Sequence, residues 1–147
     1  MQDAEQRRLP LALLGLRLSL ALVFAAWAAD KFVNPDHGAA VFQGFYGLEA
    51  APPTLVYAAG ALQAVLVAVF ALGIARTWSY GAVLVMHAVT TAVSWKAYLG
   101  LENILFFSAW PMLAGLVALW LLREEDRLLT LGGQHGRTGL SGGRRCP

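Results

Sequence analysis

A chain of 147 residues that is 58% hydrophobic and only 14% charged has too few charges to cover a water-facing surface, because soluble domains average about 25%. Its length suits a single domain. The net charge of +2 is modest and the basic residues sit mainly near the ends, which excludes a nucleic-acid surface. The lone cysteine, Cys146, excludes an internal disulfide, a CxxC redox pair and a thiolate metal cluster. Any redox chemistry therefore needs a bound cofactor or a partner protein.

Residues 1–8 form a polar N-terminus. A first apolar segment follows over about 9–32, enough to cross a bilayer, which takes about 20 residues. It contains Arg17 and ends abruptly in Asp30 and Lys31. The stretch "RRLPLALLGLRLSLALVFAAWAAD" also has features of a secretory signal, with Ala26-Trp27-Ala28 as a small-x-small site. Its apolar run is longer than a signal core, Arg17 interrupts it, and Trp27 followed by charge makes a poor cleavage site. A spanning helix is the better reading.

The link over 33–53 mixes Gly38, Gly44 and Gly47 with aromatics and Pro52-Pro53. It is an outer loop with room for a short interfacial helix. A second span is expected over about 54–75 and a third over 78–99, joined as a hairpin at Arg76-Thr77. A fourth runs over about 104–122. The tail, 123–147, begins "REEDRLLTL", read as an amphipathic extension on the cytoplasmic surface. After residue 132 its Gly-rich polar composition predicts disorder, with His135 solvated. The expected fold is all-α, a four-transmembrane-helix bundle over 9–122.

Charge sets the orientation. Arg7, Arg8, Arg17, Arg76, Arg123, Arg127, Arg137, Arg144 and Arg145 fall on one side, against Lys31 and Lys96 on the other. The positive-inside rule then puts both termini in the cytoplasm of a multi-pass protein of the bacterial inner membrane. Trp27, Phe45, Tyr46, Trp95 and Tyr98 gather near the outer face, where amphipathic rings settle.

Polar residues inside spans are costly and so are functional candidates. In the third span His87, Thr90, Thr91, Ser94 and Tyr98 share one helical face. Gln63 lies at a similar depth in the second. Toward the outer surface Asp30, Lys31, His37, Lys96, Glu102 and Asn103 converge, with Trp95 beside Lys96. The candidate ligand-binding set is His87, Gln63, Thr90, Thr91, Ser94, Asp30, Lys31, Lys96 and Trp95.

Each has a plainer reading. Hydroxyls and amides glue membrane helices together, and Gln63 is placed to pair with His87. Lys31 snorkels to the interface. The outer charges pair with one another and close the bundle, or hold a polar head group. His87 is a satisfied core histidine, a proton relay or a donor to a ligand carbonyl. A bis-histidine haem would need a second histidine at membrane depth, which the spans lack, so haem is disfavoured and no metal site is expected. Pro111 predicts a kink in the fourth span, with a freed carbonyl.

Arg17, Ala21, Phe24, Ala28 and Lys31 occur at helical spacing and are followed by Asn34-Pro35; the fourth span closes with "PMLAGLVALWLLREED". Over roughly residues 10–130 this resembles the DoxX family of small membrane proteins. Two positions commonly glycine in that family are Ala21 and Ala28 here, and Asp30 with the "NPDH" loop looks like a subgroup feature. The resemblance implies a four-helix bundle. The family takes its name from a subunit of an archaeal thiosulfate:quinone oxidoreductase, so it also implies a small subunit that binds quinone for a redox partner in or beside the membrane. A quinone suits donors such as His87, Gln63 or Thr91. Fold does not fix function. Two other readings stand beside this one: a non-catalytic accessory or assembly protein, and a small transporter, working as a homo-oligomer with the polar stripe as its path.

Overall fold

In the computed structural model, residues 2–49, 51–99 and 104–131 are described, with side chains from residue 8 onward. Glu102, Asn103 and the tail beyond 131, with His135 and Cys146, lie outside them. Among the described residues the structure is all helical: α1 (Gln2–Val33), α2 (Pro35–Tyr46), α3 (Pro53–Ala71), α4 (Arg76–Val93), α5 (Trp95–Leu99) and, after a 3-10 turn over Ile104–Ser108, α6 (Ala109–Leu121).

Three segments are long and apolar enough to cross a membrane: Arg8–Val33, Pro53–Ala71 and Ile104–Leu121. This is consistent with a membrane protein. The expected third span, α4, is not among them. Its 18 residues carry Arg76, Ser79, Tyr80, His87, Thr90 and Thr91, which lower its apolarity below that of the other three.

The helices form a ring. α1 packs most extensively on α3, α3 meets α4, α4 packs along α6, and α6 touches α1. The core takes Leu13, Leu20 and Phe24 from α1, Val67 and Phe70 from α3, Tyr80 and Val83 from α4, and Leu116 and Leu119 from α6. Helix α2 fills much of the 33–53 link and packs on both α1 and α3. Gly38 allows that approach, because a Cβ there would lie 2.5 Å from Val56 Cγ1. The helix stops at Gly47, whose φ of +67° lets the Leu48 N–H turn back to the Phe42 carbonyl.

Two expectations change. Pro111 does not kink a span midway. It occupies the first turn of α6, behind the 3-10 turn, where a missing N–H has no intrahelical partner to lose. The start of the tail is not an amphipathic extension lying on the surface. Residues 122–131 form a strap of turns that folds against the end of the bundle. The Leu131 N–H donates to Leu72 O at 3.0 Å, and Asp126 is fully buried.

Candidate functional site

Two polar regions lie at opposite ends of the bundle, one beside the middle of α1 and the other at its C-terminal end. At the first end Arg17 is fully buried. Its Nη1 donates to Asp126 Oδ2 at 2.9 Å and to the Tyr80 hydroxyl at 3.1 Å, while Nη2 donates to the carbonyls of Leu128 and Leu129 at 2.7 and 3.2 Å. Tyr80 itself donates to Asp126 Oδ2 at 2.6 Å. Arg76 adds donations to the carbonyls of Arg123 and Asp126. A charge that cannot reach water needs its counter-charge brought to it, and the strap delivers Asp126. Gly73 makes room: its φ is +62°, and a Cβ would lie 2.6 Å from Thr130 Cγ2 and 2.8 Å from Arg17 Nη1. Sequence reasoning missed Tyr80 and Asp126. The available signal was Arg17, whose depth demands an acid, with Glu124, Glu125 and Asp126 at the end of α6 as the nearest suppliers.

At the second end Lys31 Nζ donates to Gln63 Oε1 at 2.8 Å and to Trp27 O at 3.1 Å, and Gln63 Nε2 donates to Phe24 O at 3.3 Å. Gln63 is thus a clamp between α3 and α1, and its partner is Lys31 rather than His87. Gly60 permits the close approach, since a Cβ there would lie 3.0 Å from Lys31 Cβ. Asp30 serves the α1–α2 corner. Its carboxylate accepts from Asn34 Nδ2 at 3.0 Å and lies 2.6 Å from His37 Nδ1. Lys96 stays exposed above the Trp95 ring, its nitrogen 5.6 Å from the centroid. The structure therefore brings together Lys31 with Gln63, and Asp30 with His37. It does not gather Lys96 with them.

The stripe on α4 is largely self-contained. Thr90, Thr91 and Ser94 donate to the carbonyls of Met86, His87 and Thr90 at 2.8–2.9 Å. This is the usual return of a helical hydroxyl to its own backbone. Tyr98 donates to Thr91 O at 3.1 Å. Beside that bond from α5, the 3.4 Å approach of Tyr46 in α2 to Thr90 reaches the stripe from another element. These side chains are spent on α4 itself.

His87 differs. It is 2% exposed at the junction of α1, α4 and α6. Its Nε2 lies 3.0 Å from Ala109 O, the first residue of α6. The Phe24 ring meets it edge-on at 5.4 Å, and the Trp27 ring lies 6.1 Å away, tilted 30°. Among the described residues His87 Nδ1 is buried with no hydrogen-bond partner, as are Arg17 Nε and Asp126 Oδ1 within their own ion pair. An unsatisfied polar atom in a packed interior is rare enough to require a cause. No group of three His, Cys, Asp or Glu among the described residues is placed to hold a metal. An open apolar groove of about 590 Å³ lies on α1 and α3, lined by residues such as Ala21, Ala25, Ala28, Ala64 and Ala68, and His87 takes no part in it.

Comparison of the chain with family models, with curated proteins and with solved structures finds no match.

Proposed function

We propose that the chain is a four-span protein of a bacterial inner membrane, of DoxX-like type, that binds a quinone-like lipophilic ring beside His87 on behalf of a redox partner. Connectivity supports the fourth span. The strap after α6 touches the turn after α3, so α3 and α6 end on the same side. If both cross the membrane, the chain between them must cross back. At 1.5 Å per residue the 18 residues of α4 cover about 27 Å, close to the hydrocarbon thickness. The polar groups that lower its apolarity are mostly buried or satisfied within the bundle. The arginine-rich end is then cytoplasmic by the positive-inside rule.

The observation that carries the ligand reading is the unpartnered Nδ1 of His87 in a setting of aromatic rings. Phe24 walls that setting and the half-exposed Trp27 borders it. Electron transfer falls to a partner protein, since the lone cysteine, Cys146, gives the chain no dithiol of its own. A transport path gains no support. Between His87 and Arg17 the interior is filled by Phe24, Phe70, Val83 and Leu116. The accessory reading draws on the self-contained hydroxyls of α4.

Quinones extracted from protein purified in native-lipid discs, quantified by mass spectrometry, test the proposal. It expects near-stoichiometric quinone that falls in His87→Ala. Quinone at the lipid background in both samples would leave the accessory reading standing in its place.

A further inference from the structure

Among the described residues His87 has a carbonyl at Nε2 and no hydrogen-bond partner at Nδ1, and this sets the polarity of its free nitrogen. Ala109 O can only accept a hydrogen bond, so Nε2, 3.0 Å away, must carry the proton. In the neutral imidazole Nδ1 is then a lone-pair acceptor. Among the described residues it has no donor, although His87 is only 2% exposed. The His87 ring meets Phe24 and Trp27, and among the described residues no carboxylate pairs with it to hold an imidazolium.

From this polarity we infer that His87 selects the hydroxyl-bearing, reduced form of the ligand: a hydroquinone whose O–H donates to Nδ1, rather than a quinone. The inference rests on the functional reading above and names the redox state that reading leaves open. A quinone oxygen is an acceptor and meets Nδ1 lone pair to lone pair, whereas a hydroquinone supplies the missing donor. Trp27 is the entry gate. Phe24 is 1% exposed and locked in the core, while Trp27 is 41% exposed and its ring still lies over the imidazole. A centroid separation of 6.1 Å leaves no room for a third ring between them, so entry of the ligand requires Trp27 to give way.

The variant that isolates this role is His87→Gln. A glutamine amide can reproduce the Nε2 donation to Ala109 O, and so keep α4 tied to α6, while its own acceptor, Oε1, branches from Cδ and leaves no lone pair at the Nδ1 position. The experiment uses full-length protein in lipid nanodiscs, labelled with 15N-histidine and titrated anaerobically with duroquinol or with duroquinone. Duroquinol is expected to shift the His87 Nδ1 resonance and to bind about tenfold more tightly than duroquinone, the worth of roughly one hydrogen bond. In His87→Gln that preference is expected to vanish while the melting temperature holds. Equal affinity for the two forms, a preference for duroquinone, or a preference that survives in His87→Gln overturns the inference and leaves the quinone-binding reading intact. Failure of both compounds to bind overturns both.

Discussion

The two ends of the bundle hold charges in opposite ways. At one end Arg17 and Asp126 are fully buried and joined across a sequence separation of 109 residues. At the other, Asp30 pairs with residues four and seven positions along the chain, and the Asp30 and His37 side chains are 33% and 65% exposed. The first arrangement is a tertiary clamp that pins the strap to the bundle. The second is a local corner between consecutive helices. The difference follows from solvent. A charge shut away from water must have its partner carried in by the fold, whereas an exposed charge finds one nearby and gains little from it.

The largest effect is expected at the clamp. Asp126→Ala leaves Arg17 buried without its counter-charge and should cost about 3–5 kcal/mol, read as a fall in melting temperature and as proteolysis of the strap in inside-out vesicles. The double variant Arg17→Met, Asp126→Leu should recover most of that loss, because an apolar pair avoids the desolvation of both ions. A double variant no better than the single would mean that the ion pair itself is required. Gly73→Ala tests the same end from the backbone side. The positive φ and the collision with Thr130 and Arg17 should cost about 1–3 kcal/mol, and a melting temperature equal to wild type would show that the strap does not press on this turn. The smallest effect is expected at the wet corner. Asp30→Asn should change stability by less than about 1 kcal/mol. A loss comparable to that of Asp126→Ala would erase the contrast between the ends.

Particular residues show how much was legible beforehand. The helical stretches, the tight α3–α4 turn and the shared face of His87, Thr90, Thr91 and Ser94 follow from local pattern, because hydrophobic runs and 3.6-residue spacing act over a few turns. The helix in the 33–53 link was allowed for by its length. Gln63 was recognised as a partner-seeking amide at the right depth, yet its partner proved to be Lys31. Helix rotation decides such pairings, and a single span's pattern does not encode rotation relative to its neighbours. The stripe hydroxyls looked like glue or ligand contacts because sequence spacing does not show that a Thr or Ser will turn back to its own carbonyl.

Composition and periodicity by themselves determined a helical chain of membrane type, with apolar lengths matched to a bilayer and an asymmetric distribution of arginine. Those properties are sums over local residues. Only the tertiary structure decided that Asp126 would be the counter-ion of Arg17, that α4 would pack between α3 and α6, and that His87 would spend Nε2 on Ala109 and leave Nδ1 unpartnered among the described residues. Each of these depends on which faces meet across the bundle, and that is fixed by packing between distant segments rather than by any one of them.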